Sequence, residues 1–278
     1  MIEVIQPGLF TSLQDLGRFG YRHLGVPVSG AMDLDAAQHA NHILGNDPTC
    51  AVLEITLQGP TLKFLIDTKI TLTGAHLSPE VNQQPVEMYQ PVEIYKDDEL
   101  TFGKRISGVR SYLAVTGGFK TDMIFNSKSF YKGITSQEKL VEGDILELAS
   151  TSGKKAAELQ VEPPAYNTHE LYVTPGPEFE LLHPQQKEKL LSEKWTLGMN
   201  SRMAYQIEEL MPNRLPSILS SAVLPGTIQL TPSGKMILLM RDCQTMGGYP
   251  RILQLTEKSI NLLAQKMRFE EVSFRLIH

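Results

Sequence analysis

Turn-forming residues interrupt this chain at short intervals, and that spacing limits its folds more than any other feature. With 21 glycines and 17 prolines in 278 residues, the apolar stretches between turns run to about four to seven residues, the length of strands rather than helices. Strand patterns read at Thr61–Ile66, Lys69–Thr73, Val92–Tyr95, Arg110–Val115, Ile145–Leu148, Glu170–Val173, Thr227–Leu230 and Met236–Met240. Three segments read as helices. Leu34–Leu44 has Asp33 as its N-cap and Gly45 at its left-handed end. Gln185–Trp195 follows Pro184, and Thr256–Lys266 carries Ile260, Leu262, Leu263 and Met267 on one face. Many short strands with few helices predict a mainly β protein with a few short helices, closed or sandwiched rather than built from βα units.

At about 150 residues per domain the length suggests two. The stretch TSGKKAAELQVEPPA has no strand pattern and ends on paired prolines. It divides the chain into an N-terminal domain of residues 1–150, a linker at 151–166 and a C-terminal domain of residues 167–278. Lysine and arginine number 26 against 31 acids, a net charge of −5, which argues against a nucleic-acid binder needing a basic face. The longest aliphatic run, Met236 to Met240, is too short to span a bilayer. The N-terminus lacks the basic flank and cleavage site of a signal peptide. Cys50 and Cys243 lie far apart with no C-x-x-C, as expected for a cytoplasmic chain without a disulfide framework.

Familiar catalytic motifs are missing. Gly234-Lys235 is followed by Met236 rather than serine or threonine, so no phosphate loop is formed; there is no G-x-S-x-G and no H-E-x-x-H. His39 and His42 share a helical face, but no spacing supplies further metal ligands, and no metal is expected. Three polar clusters remain as candidate sites. In the first, Gln14, Asp15 and Arg18 lie in one glycine-bounded turn and Asp33 ends the next; Arg18 suits a carboxylate, while Asp15 serves equally well as a turn former. In the second, Asp242, Gln244, Thr245, Gly247, Gly248 and Tyr249 follow an apolar strand. There Asp242 offers a base, and Gln244, Thr245 and the glycine amides offer donors to an oxyanion. A tight turn capped by Asp242 is the equal alternative. The third, looser group is Asn41, Glu54, Arg202 and Gln229. Glu54 stands in an apolar run, so it is either functional or buried against Arg18 or Arg202. Cys243, with no nearby histidine in sequence, is a weak nucleophile candidate.

The motifs P-G-L-F-T-S-L-Q-D-L-G-R, G-V-P-V-S-G-A-M-D, A-N-H-I-L-G-N, A-V-L-E-I-T-L-Q-G-P, G-V-R-S-Y-L-A-V-T-G-G and D-C-Q-T-M-G-G-Y-P, in this order, resemble the KipA family. Members of that family are also called the C-type chain of 5-oxoprolinase or allophanate hydrolase subunit 2, and are related to part of the carboxyltransferase region of urea carboxylases. The resemblance implies a cyclophilin-like β-barrel in each half and a heteromeric complex with a KipI-type partner, the B-type chain of 5-oxoprolinase. A third, LamB/YcsF-type chain would complete an ATP-dependent enzyme opening the cyclic amide 5-oxoproline to glutamate, with ATP bound on another chain or at an interface. Two other activities are implied by relatives. One is a carboxyltransferase acting on urea or a similar amide with carboxybiotin; the other is a KipA-type regulator that sequesters a KipI-type kinase inhibitor.

Under the first activity Arg18 is expected to hold the substrate carboxylate, Asp15 or Asp242 to move protons, and Gln244 and Thr245 to position the carbonyl. Gln14, Asp33, Asn41, Glu54, Arg202, Gln229, Gly247, Gly248 and Tyr249 complete the expected binding set. The chain departs from the family at Arg202-Met203-Ala204-Tyr205-Gln206-Ile207, where R-M-G-Y-R-L is usual, and at Phe125-Asn126-Ser127-Lys128-Ser129-Phe130, where the family has L-G-S-x-S-T.

Overall fold

Each apolar segment singled out in the sequence is a strand: Thr61–Phe64, Thr68–His76, Val92–Ile94, Ser107–Val115, Ile145–Leu148, Glu170–Pro175, Thr227–Leu230 and Lys235–Leu239. The computed structural model describes residues 1–149 and 164–277. These fall into two units, Met1–Arg18 with Ser29–Tyr166, and Phe19–Val28 with Asn167–His278. Residues 151–163 of the expected linker lie outside the described part, and residues 19–28 group with the second unit despite their early position. Among the described residues no helix is long and apolar enough to cross a membrane.

The first unit is built from a seven-stranded and a five-stranded sheet. Strict alternation puts Ile2, Val4, Leu62 and Phe64 on the buried side of the larger sheet, where they pack with Leu13, Leu53, Leu72 and Leu113 from the smaller one. The strand Ser107–Val115 lies in the middle of the five-stranded sheet, and all its residues after Ser107 are buried. One face carries Leu113 and Val115 into that core. The other carries Tyr112 and Ala114 against helix α1, Leu34–Ile43. Ala36, Ala37 and Ala40 line the contacting side of α1, small enough for close approach of helix and sheet. Asp33 caps α1 by accepting the Ala36 N–H at 3.1 Å, and Gly45 follows its end at φ +68°, both as the sequence indicates.

The second unit is a closed barrel in the strand order Glu170–Pro175, Arg251–Leu255, Thr227–Leu230, Lys235–Leu239, Ala204–Leu210, Trp195–Asn200 and Glu271–Leu276. Its first and last members pair in parallel, and all other neighbours are antiparallel. Closure leaves no exposed sheet edge in the barrel. Helix α2, Pro184–Ser192, ends before the expected Trp195, because that residue begins a strand and buries its ring completely. Its indole N–H donates to Leu190 O at 3.1 Å, tying helix to barrel. Helix α3, Glu257–Leu263, starts from Thr256, whose hydroxyl accepts the Ser259 N–H. A two-stranded ribbon, Ser221–Ala222 with Met246–Gly247, projects from this unit.

Candidate functional site

Two polar constellations emerge, one in each unit. In the first, antiparallel register sets Tyr112 opposite Glu54 on the face covered by α1. Glu54 is fully buried; its Oε2 accepts the Met32 N–H at 2.7 Å and the Tyr112 hydroxyl at 2.9 Å, and Arg110 Nε stands 3.7 Å from its Oε1. Glu54 thus faces Arg110, a strand neighbour of Tyr112 that the sequence reading did not name beside Arg18 and Arg202. The Asp33 N–H donates to the Tyr112 oxygen at 2.8 Å, and the Tyr166 hydroxyl donates to Asp33 Oδ2 at 3.2 Å. Burial first, and then Glu54 and Asp33, hold the Tyr112 phenol well above its ordinary pKa; burial and Asp33 do the same for Tyr166. Both phenols therefore serve as hydrogen-bond donors.

The Gln14–Arg18 turn faces inward. Asp15 Oδ1 accepts from Gly17 N–H at 2.8 Å and from the Ser127 and Ser129 hydroxyls at 2.7 Å each, while Oδ2 accepts the Lys128 N–H at 2.6 Å. Four donors occupy this carboxylate. Arg18 is fully buried and donates to Ser129 O, and Gln14 donates to Ser12 Oγ at 3.0 Å and Phe130 O at 3.3 Å. These three side chains anchor residues 127–130, where the chain departs from the family motif. Asn41, at the far end of α1, donates to Cys50 O at 2.8 Å and accepts from Asn46 at 3.1 Å. Among the described residues no group of three or more His, Cys, Asp or Glu side chains is placed to hold a metal ion.

The second constellation surrounds the 242–250 turn at the end of Lys235–Leu239. Asp242 is held by a two-point ion pair with Arg202, Nε to Oδ2 at 2.7 Å and Nη2 to Oδ1 at 3.3 Å. Gln244 Nε2 donates to Gln229 Oε1 at 3.4 Å, and Gln229 is 1% exposed. A Cβ on Gly247 would stand against Gln229 Nε2 and Val223 Cγ1, so a side chain there would displace the Gln229 amide. Thr245 offers its backbone oxygen to Arg22 at 3.2 Å, and Tyr249 is 40% exposed. Cys243 is fully buried, and burial pushes its thiol up to about 11 against the pull of Arg22, so it stays protonated near neutrality. Asp242, Arg202, Gln229, Gln244 and the two glycines, scattered in sequence, thus gather at one end of the barrel.

The family model described as carboxyltransferase domain, subdomain A and B, matches residues 24–276. The C-type chain of the 5-oxoprolinase of Escherichia coli is 33% identical over 272 residues, which cover 95% of this chain and 87% of that protein. The chain belongs to this carboxyltransferase family, alongside the C-type chains of 5-oxoprolinases. The solved urea carboxylase of Kluyveromyces lactis superimposes with a TM-score of 0.91 at 26% identity, covering 100% of this chain but 27% of that one. A second solved chain, TTHA0988, superimposes with a TM-score of 0.90 at 27% identity; this chain spans 55% of its length.

Within this carboxyltransferase fold, two arginines at the turn escaped the sequence reading. Arg22 precedes the candidate turn by some two hundred positions, a separation visible only in the fold. Arg251 follows Pro250 directly and forks onto Glu178, Nη2 to Oε1 at 2.8 Å and Nε to Oε2 at 3.0 Å, with its Nη1 on Ser221 Oγ at 2.8 Å. The Arg251 hydrogen bonds hold the Glu178 carboxyl below its ordinary pKa, outweighing burial. A carboxyl depressed in the folded state adds stability that is present above its unfolded pKa, about 4.3, and is lost as pH falls through the folded value. Glu178→Gln is therefore expected to flatten the decline of stability with pH below about 4.3. Denaturation followed from pH 7 to pH 3 for wild type and variant checks this; parallel curves would exclude the pair as a contributor.

Proposed function

We propose that this chain is the C-type component of a heteromeric, ATP-dependent 5-oxoprolinase that opens 5-oxoproline to L-glutamate in the cytoplasm. The observation that carries this is correspondence over most of both chains, 95% of this chain and 87% of the C-type chain of a 5-oxoprolinase. Its partners would be a KipI-type chain, the B-type component, together with a LamB/YcsF-type chain. The second-unit turn is the better seat for the substrate: Gln244, Thr245, Gly247 and Gly248 are partly exposed there, whereas Asp15 and Arg18 are committed to internal bonds. Asp242, fixed by Arg202, would orient the turn or take a proton; Gln244 and the glycine amides would meet the lactam carbonyl.

ATP, when bound, supplies the driving force for opening a stable amide. Among the described residues, the Gly234-Lys235 turn does not fit it. The Gly234-Lys235 turn packs Gly234 against Met211 O, and Lys235 Nζ reaches Gln206 at 3.5 Å, so that turn offers no cradle for a phosphate. The nucleotide would be bound by another chain or at an interface with one. A second reading, carboxyl transfer from carboxybiotin to urea, is favoured by the structural likeness to the Kluyveromyces urea carboxylase, although this chain spans 27% of that one. The two separate in one experiment on the three-chain complex. Glutamate is expected from 5-oxoproline and ATP, with no carboxylation of urea by carboxybiotin. Carboxylated urea without glutamate would reverse the order.

A further inference from the structure

Arg202, Arg241 and Arg251 in the second unit each face a carboxylate, but Arg22 faces none among the described residues. Its Nη2 donates to Val223 O and Thr245 O, main-chain atoms on either side of the Ser221–Ala222 and Met246–Gly247 ribbon. Its Nη1 is sealed from solvent and has no acceptor. Cys243, beside it, shares a side-chain hydrogen bond with Arg22 but remains an uncharged thiol. Gln229 Nε2, on the barrel strand beneath, is likewise sealed and without an acceptor. Both orphan donors border the same few residues: Arg22 holds Val223 and Thr245, while a Cβ on Gly247 would overlap Gln229 Nε2 and stand 3.1 Å from Val223 Cγ1. A half-buried guanidinium with a sealed, unpaired Nη1 and no carboxylate facing it, beside a buried amide nitrogen lacking an acceptor, is an uncompensated arrangement. An anion reaching both would supply the missing acceptors.

We propose that Arg22 and Gln229 form a carboxylate-binding pair under the 245–247 stretch and, resting on the 5-oxoprolinase reading above, that they take the carboxylate of 5-oxoproline. Glycine at 247 keeps the approach to Gln229 open, because a side chain there would crowd its Nε2. Arg22 acts on binding rather than on the amide bond, so its removal falls on KM more than on kcat.

The test uses the three-chain complex with 5-oxoproline, with 2-pyrrolidinone (the same lactam without a carboxylate) and with inorganic phosphate. Arg22→Met is expected to raise KM for 5-oxoproline about 10- to 100-fold with kcat within about threefold, the range of a lost charge-assisted pair. Use of 2-pyrrolidinone is expected to be unchanged, and Arg22→Lys to recover part of the loss. Gly247→Ala, which leaves Arg22 in place, is expected to raise the same KM. KM unchanged in both variants overturns the proposal, as does an equal loss for 2-pyrrolidinone, which marks a structural role. Phosphate binding abolished by Arg22→Met while KM for 5-oxoproline stays fixed assigns the pair to phosphate and overturns the substrate assignment. Calorimetric binding of 5-oxoproline that requires Arg22, in a wild-type complex without turnover, keeps the site and sinks the oxoprolinase reading.

Discussion

Glu54→Ala is expected to destabilise the first unit by about 3–5 kcal/mol, the range for removing one partner of a buried ion pair. Glu54 is 0% and Arg110 4% exposed, so the guanidinium left behind cannot reach bulk water without opening the sheet. The Met32 N–H and the Tyr112 hydroxyl lose their acceptor at the same time. The damage then spreads to the loop carrying Asp33, whose N–H rests on the Tyr112 oxygen. Replacing both partners by leucine is expected to recover much of the loss, since it removes both buried charges together. Urea denaturation of the single and double variants measures this. A loss below about 1 kcal/mol for Glu54→Ala would show that water or a rearranged neighbour compensates Arg110.

Asp15→Ala is expected to cost about 3–4 kcal/mol, since each buried donor stripped of its acceptor costs about 1–3 kcal/mol and relaxation recovers part of the sum. The Ser127 and Ser129 hydroxyls and the Lys128 and Gly17 N–H groups all converge on this carboxylate. Asp15→Asn keeps the shape but turns an amide NH₂ toward those donors, so it is expected to lose about half as much. If Asp15 only holds the 127–130 loop, turnover per folded complex stays at the wild-type value in Asp15→Asn. Full stability combined with a collapse of kcat would instead make Asp15 a proton-transfer group.

Local pattern was enough for much of this fold. The Asp33 cap, the Gly45 end of α1 and the strand segments bounded by turn residues were legible because neighbours in sequence decide them. Phe10–Gln14 and Val52–Thr56 were not read as strands, because buried Ser12, Gln14 and Glu54 break the apolar alternation that marks a strand. Those polar residues are tolerated only because partners distant in sequence, such as Phe130, Tyr112 and Arg110, satisfy them. Trp195 closed the helix expected after Pro184, yet the barrel takes it into a strand. The 242–250 turn was recognisable from its residue types. The ion pair of Asp242 with Arg202, the amide contact of Gln229 with Gln244 and the presence of Arg22 depend on barrel closure, and no spacing in the sequence encodes them.

The central claim is that this chain is an obligatory part of a 5-oxoprolinase. It is tested most directly by ATP hydrolysis dependent on 5-oxoproline in the co-expressed three-chain complex, repeated with each chain omitted in turn. Hydrolysis that needs 5-oxoproline and disappears without this chain is the expected result. Undiminished hydrolysis without it, or a well-formed complex that never turns over 5-oxoproline, would contradict the claim.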